Sequence, residues 1–421
     1  MAAELPHIVV LGAGFGGLTF AHKFPTELAR ITVVDKQNHH VFQPLLYQVA
    51  SAGLAAPDIA QPIRAILRKK PNLVVLMDEV QAVDLARREV KLASGVLAYD
   101  FLVIALGSQT GYFGHNDWEE AAPGLKTLDD AHRLRRNTLL AYERAEHEPD
   151  PQRRRDLMTT VVVGGGPTGV ELAGTFAELA RTVLYRDFDH IDPRQARIVL
   201  VEGGDRVLGT FDPKLSASAQ RQLEELGVEV RLNTRVTAIR AGEVEFGGET
   251  VRAGNIVWAA GVAANPVARS LGVDLDRAGR IKVLPDLSVA GHPRVFAIGD
   301  IATLTDKNGV VVPGVAQGGI QGGEHVAKLI ARELGGGPAE PAQRPAFAYH
   351  DKGNMATIGR SRAIAEIGRL RLTGLGAWLA WLALHLFFLI GFRNRLSVLI
   401  QWTYSYFTYR RGARIILGRD N

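Results

Sequence analysis

The chain has 421 residues, 47% of them hydrophobic, a net charge of +5 and no cysteine. That length supports two or three domains with their own cores. The lack of cysteine excludes disulfides, thiolate metal centres and dithiol redox chemistry, and no metal site is expected.

The first elements read as strand, glycine turn, helix and strand. Ile8-Val9-Val10-Leu11 runs into Gly12-Ala13-Gly14-Phe15-Gly16-Gly17, and Ile31-Thr32-Val33-Val34 ends at Asp35. Such a turn lets backbone approach a pyrophosphate, and the distal carboxylate can accept hydrogen bonds from an adenosine ribose. With a strand starting this early, no signal or transit peptide is expected, which places most of the protein in the cytoplasm. Residues 39–68 carry helical signals interrupted by prolines. Short strands follow at Leu73–Leu76 and Glu89–Leu92. A buried strand from Phe101 then leads to Ala105-Leu106-Gly107-Ser108.

A charged helix is predicted over Leu128–Glu148, and the Pro- and Arg-rich stretch Glu148–Arg155 reads as a surface loop. The pattern then repeats. Val161-Val162-Val163 enters Gly164-Gly165-Gly166-Pro167-Thr168-Gly169, and Ile198-Val199-Leu200-Val201 ends at Glu202. An acid at that position repels a 2′-phosphate and favours NADH over NADPH. A helix near Leu215–Leu226 and the strand end Ala259-Ala260-Gly261 complete the repeat, and the strand Arg294–Asp300, ending in an acid, follows it. Pro313–Leu334 reads as a glycine-rich turn opening a helix, on which Gln317 and Gln321 share one face. The organisation is α/β: two Rossmann-like dinucleotide-binding domains, the second inserted in the first, plus a C-terminal helical segment. Two dinucleotide sites in one chain point to electron transfer between them.

The C-terminal segment differs in composition. From Arg360 onward there are ten arginines against two acids, and they flank apolar stretches. That pattern favours a membrane with anionic headgroups over nucleic acid. Leu375–Phe392 spans about 27 Å as a helix, slightly short of a ~30 Å hydrocarbon core. Arg369 and Arg371 precede it, and Arg393 and Arg395 follow, so the flanks give no positive-inside asymmetry. Next, Ser397, Gln401, Tyr404, Ser405 and Thr408 form a polar stripe on a helix that is otherwise rich in apolar residues. That favours an amphipathic anchor lying in the interface over a span. Trp378, Trp381 and Trp402 suit the headgroup level, and Arg410, Arg411 and Arg414 suit anionic lipid. The same apolar helices could instead form a homodimer interface.

Together, several stretches resemble the type II NADH dehydrogenases of the two-dinucleotide-binding flavoprotein superfamily. They are the two glycine turns, Asp35-Lys36-Gln37-Asn38-His39-His40, Phe42–Ala50, Ala297-Ile298-Gly299-Asp300, Ala316–Gln321, Asp351–Ala356 and the apolar tail. Leu106 departs from the threonine common in that superfamily, while the following Gly107 is kept. The resemblance implies FAD in residues 1–115 and 285–345, NADH in 116–284, and a membrane-anchoring region over 346–421. FAD would be bound by Gly12, Gly14, Phe15, Gly16, Gly17, Asp35, Lys36, Ala105, Gly107, Asp300, Ala316 and Gln317. NADH would be bound by Gly164, Gly166, Pro167, Thr168, Gly169, Glu171, Glu202 and Gly261. Glu171, Gln317, Gln321 and Lys352 are the candidate catalytic residues, and His39 and His40 are taken as structural. The implied activity is transfer of a hydride from NADH to FAD and then of two electrons to a membrane quinone, without proton pumping. The implied location is peripheral, on the cytoplasmic face of the cell membrane. Two alternatives are an NADH-dependent flavoprotein reductase serving a protein acceptor and a non-catalytic NADH sensor.

Overall fold

The computed structural model describes residues 5–408 and 413–416. The chain forms two compact units. One comprises residues 1–40, 61–109 and 262–351, the other 41–60, 110–261 and 352–421.

The first unit is built on a six-stranded sheet in the order Ser288–Val289, His292–Ala297, Phe101–Ile104, His7–Leu11, Arg30–Asp35 and Leu73–Met77. Every pairing is parallel except that of the Ser288–Val289 edge strand. His7–Leu11 is buried along its whole length, as expected of a parallel strand enclosed on both faces. The helices Phe15–Lys23 and Ala316–Leu334 pack so closely that a Cβ on Gly323 would stand 2.3 Å from the Gly16 carbonyl oxygen.

The second unit repeats the arrangement on a smaller scale. Its parallel sheet runs Val228–Arg231, Arg197–Val201, Thr159–Val163, Asn255–Trp258. The helix Pro167–Glu178 follows the glycine turn. A three-stranded antiparallel sheet, Asn354–Gly359, Arg362–Ile367 and Leu370–Thr373, packs against that helix. A Cβ on Gly174 would lie 1.7 Å from the Ile358 carbonyl oxygen, so this approach requires glycine.

The compact units divide at Gly261/Val262, with residues 41–60 and 352–421 in the second unit. The structure departs from the sequence expectations in two places. Residues 151–157 form a helix instead of a loop. The Asp150 carboxylate accepts the Gln152 N–H at 2.8 Å and Pro151 opens the first turn, a favourable start. The expected helix over Leu128–Glu148 is present as Leu128–His147, capped reciprocally by Thr127 and Asp130. In the tail the apolar run is interrupted. One helix covers Gly374–Phe388 and a second Phe392–Thr408, with Gly391 at φ +89° between them. The first is about 22 Å long at 1.5 Å per residue. Among the described residues no helix is long and apolar enough to cross a membrane.

Candidate functional site

The two glycine turns are built alike. Gly12 and Gly164 take φ of +93° and +109°, and a Cβ on either would stand within 2.7 Å of the neighbouring strand end, at Ala105 and at Ala259–Ala260. Gly17 and Gly169 face their own turns: a Cβ would lie 1.9 Å from the Gly12 oxygen and 1.8 Å from the Gly164 oxygen. These four glycines are required by the fold. Gly14 and Gly166 are not. Each caps its helix in ordinary extended backbone, and a Cβ on either would meet nothing within 4 Å. Their missing side chains leave a clear approach to the free N–H groups of the helix start, which is what a pyrophosphate needs. Both turns therefore fit a dinucleotide.

The distal acids close each turn in the same way. Asp35 accepts the Ala13 N–H at 2.7 Å and the Gln37 N–H at 2.8 Å. Glu202 accepts the Gly165 N–H at 2.5 Å and the Gly204 N–H at 2.6 Å. Each carboxylate is thus fixed beside its glycine turn, with lone pairs left for ribose hydroxyls. Lys36 is exposed beside Asp35. Phe15 opens the first helix and meets His40 edge-on at 5.1 Å. His40 is buried and donates from Nδ1 to the Ala13 carbonyl at 3.0 Å. Burial lowers its pKa, with that hydrogen bond pulling the other way. The histidine thus holds the turn in shape, consistent with its expected structural part.

At the far end of the first unit, Gly107 takes φ +67° and Ser108 donates to the Asp300 carboxylate at 2.9 Å. Ser108 was not among the expected site residues, although its place directly after the strand-end Gly107 was the available signal. Ala316 starts the Ala316–Leu334 helix, which lacks a side-chain N-cap. Its first-turn N–H groups and the positive end of its dipole can therefore serve an anionic ligand. Gln317 is half-buried in that turn. Gln321, one turn later, is committed elsewhere: its amide nitrogen donates to the His350 carbonyl and its oxygen accepts the His350 N–H, both at 2.9 Å. Its geometry makes it a clamp on the chain before Asp351.

In the second unit, Pro167 and Thr168 open the fingerprint helix, and a Cβ on Gly261 would stand 2.3 Å from the Gly111 carbonyl oxygen. Glu171 lies in the same helix. The residue is half-buried, and burial pushes its pKa well above the usual range, with a backbone hydrogen bond with Thr357 pulling the other way. Lys352 is exposed, its ammonium 5.8 Å from the centre of the Phe388 ring. Gln317 and Gln321 lie in the first unit, Glu171 and Lys352 in the second.

Several polar groups of the last tail helix turn inward. Ser397 donates to Asp58 at 2.9 Å, Gln401 to Ser397 at 3.1 Å, and the Trp402 indole to Gln48 at 2.8 Å. Asn394 donates to the Pro57 carbonyl at 3.2 Å. Leu396, Leu399, Ile400, Tyr404 and Phe407 are left exposed, Phe407 at 76%. Trp381 is buried, against its expected place at the headgroup level, while the Trp402 indole is hydrogen-bonded inward and Trp378 leans on Tyr406. Arg414, expected at lipid, is paired with Asp187. Arg410 and Arg411 lie outside the described residues.

Comparison with known proteins agrees with this architecture. The family model described as pyridine nucleotide-disulphide oxidoreductase matches residues 6–323, and the NDH2 C-terminal domain matches 351–411. The chain is 45% identical to a type II NADH:quinone oxidoreductase, Ndh, of Mycobacterium tuberculosis over 96% of this chain and 89% of that protein. It is 44% identical to NdhA of the same organism over 97% and 89%. The structure of NDH2 from Plasmodium falciparum in complex with NADH shares the fold, with a TM-score of 0.89 at 20% identity, covering 98% of this chain and 100% of that one. The chain belongs to the type II NADH:quinone oxidoreductases, within the pyridine nucleotide-disulphide oxidoreductase family.

Proposed function

We propose that this chain oxidises NADH, with FAD as its bound cofactor, and delivers the electron pair to a quinone dissolved in a membrane, moving no protons across it. The observation that carries this reading is the pair of matched turns, each with an open middle glycine and an acid fixed on the turn. Bound FAD supplies hydride acceptance and two-electron donation.

The residues have separable tasks in this reading. Gly12, Gly14, Phe15, Gly16 and Gly17 receive the FAD pyrophosphate, and Asp35 and Lys36 receive its adenosine end. Ala105, Gly107 and the Ser108–Asp300 pair would hold the ribityl chain. The helix start at Ala316 and Gln317 would serve a flavin edge that gains charge on reduction, because the positive end of the dipole favours an anion there. Gly164, Gly166, Pro167, Thr168, Gly169 and Gly261 receive NADH, and Glu202 selects it over NADPH. Glu171 holds a proton at pH values where an ordinary glutamate has lost it, a supply for quinone reduction. Gln321 acts through the backbone it grips, and Lys352 offers a positive charge at the edge of the tail. The FAD and NADH domains are 1–115 with 285–345, and 116–284, respectively.

Residues 346–421 hold the protein on the cytoplasmic face of the membrane. The support is the exposed row Leu396, Leu399, Ile400 and Phe407, with the basic Arg393 and Arg395 beside it. Embedding that row removes apolar area from water, and the arginines meet anionic headgroups.

The test is steady-state turnover with the purified protein on anionic vesicles loaded with quinone. NADH oxidation should require the quinone, should prefer NADH to NADPH, and should leave no pH gradient across the vesicle. Turnover with a ferredoxin but not with quinone would overturn the reading. Dimerisation through the tail without vesicle binding would overturn the membrane part alone.

A further inference from the structure

The strand ends of the second unit stand in a row that orders the parts of a dinucleotide. The sheet runs Val228–Arg231, Arg197–Val201, Thr159–Val163, Asn255–Trp258. The glycine turn follows Thr159–Val163, and Glu202 follows the next strand, Arg197–Val201. A nucleotide with its pyrophosphate on the turn and its adenosine ribose on Glu202 is therefore directed toward Val228–Arg231. Its base falls on the side of residues 232–235, which leave that strand at its carboxyl end.

This segment is tied to the turn that carries Glu202. The Glu202 N–H donates to the Arg231 carbonyl at 2.8 Å, the Thr234 N–H to the Glu202 carbonyl at 2.9 Å, and the Asn233 N–H to the Gly204 carbonyl at 2.8 Å. Asn233 takes φ +50°, a left-handed conformation in which asparagine is enriched. A Cβ on Gly203 would meet the Arg235 Cγ at 3.6 Å, so the stem of Arg235 runs alongside the Glu202 turn. Nearby arginines are committed: Arg231 to Glu229 and Arg206 to Asp205, both at 3.6 Å, and Arg240 to Glu245 at 2.5 Å. Arg235 is exposed and has no hydrogen bond, ion pair or ring contact among the described residues. A planar cation with no partner thus stands beside the ribose acid, and guanidinium planes stack on aromatic faces.

We propose that the Arg235 guanidinium lies on the face of the NADH adenine and holds that end of the nucleotide. This rests on the NADH assignment of the second turn and adds a residue to it: Glu202 reads the ribose, Arg235 the base. The contact is remote from the reacting carbon, so it acts on binding and leaves the chemical step alone. It needs a plane as well as a charge, so lysine replaces it poorly.

The experiment measures AMP binding by calorimetry, and turnover of NADH, NADPH and reduced nicotinamide mononucleotide, in the holoenzyme and in Arg235→Ala and Arg235→Lys. AMP carries the adenine without the nicotinamide, and the mononucleotide carries the nicotinamide without the adenine. Arg235→Ala should weaken AMP binding and raise the NADH KM by the same factor, about fivefold. Its kcat, its turnover of the mononucleotide and its melting temperature should match the parent, and Arg235→Lys should resemble Arg235→Ala. Unchanged AMP binding in Arg235→Ala overturns the proposal. An equal loss with the mononucleotide means a distorted turn and overturns it too. Full recovery in Arg235→Lys assigns a point charge in place of a stacked plane, and a loss confined to NADPH assigns the side chain to a 2′-phosphate; either overturns it. A parent enzyme that neither binds AMP nor oxidises NADH is a different result, and refutes the proposed function instead.

Discussion

Gly166 and Gly169 stand three residues apart, yet their substitution by alanine should have opposite consequences. A methyl at Gly169 falls 1.8 Å from the Gly164 carbonyl oxygen, so the turn must move. Such overpacking costs about 3 kcal/mol, and the loss appears without any ligand. A methyl at Gly166 meets nothing within 4 Å, and the residue already has extended backbone. The cost to the ligand-free protein is the small difference between glycine and alanine at a helix N-cap, about 0.5 kcal/mol. In the NADH complex that methyl occupies the approach to the pyrophosphate. The clash costs about 1–3 kcal/mol, or roughly 5- to 150-fold in NADH affinity. The assay combines thermal melting, flavin content and NADH titration of both variants. Gly166→Ala should melt like the parent, carry full flavin and bind NADH weakly. Gly169→Ala should melt early. NADH affinity within about twofold of the parent in a well-folded Gly166→Ala would refute the assignment of the second turn.

Four further outcomes follow from the same geometry. Glu202→Ala removes the charge that repels a 2′-phosphate, so the NADH:NADPH ratio of kcat/KM should fall by about tenfold, equivalent to ~1.4 kcal/mol. An unchanged ratio would clear Glu202 of that task. Arg344 is buried against Asp286 at 3.0 Å and Glu333 at 2.6 Å; Arg344→Met strands both acids and should cost about 3–5 kcal/mol in a denaturant titration. The raised pKa of Glu171 means that folding takes up a proton there. Its stabilising share is complete below the unfolded glutamate value, about 4.3, and is lost as pH rises through the folded value. Glu171→Gln should therefore match the parent in melting temperature at low pH and exceed it increasingly toward alkaline pH; a pH-independent difference would contradict this. Replacing Ile400 and Phe407 together by glutamate removes two exposed apolar anchors, each worth about 1.5–3 kcal/mol when buried. Sedimentation with anionic vesicles should fall sharply while flavin content stays normal.

The parts of this protein that rest on local backbone chemistry were legible in the sequence. The positive φ of Gly12 and Gly164 and the strand-end acids Asp35 and Glu202 all follow from short motifs with one workable geometry. The Pro151–Leu157 helix was missed because its charged composition resembles a loop, although Asp150 followed by Pro151 is a sound helix start. What depends on distant partners was not legible. Nothing near Gln321 foretells that both ends of its amide are taken by His350. The polar stripe of the last helix was readable, but its direction was not. Asp58 and Gln48, more than three hundred residues earlier, draw Ser397 and Trp402 inward and leave the apolar side outside. The single hydropathic run over Leu375–Phe392 likewise concealed a turn at Gly391, where left-handed backbone separates two helices.

The most direct measurement is an anaerobic titration of the purified protein with NADH, followed by addition of a soluble quinone. The account predicts that the flavin absorbance bleaches with about one equivalent of NADH and returns on quinone addition, with no other acceptor present. A preparation that carries flavin but is not bleached by NADH, or is bleached and then left reduced by quinone, would contradict it.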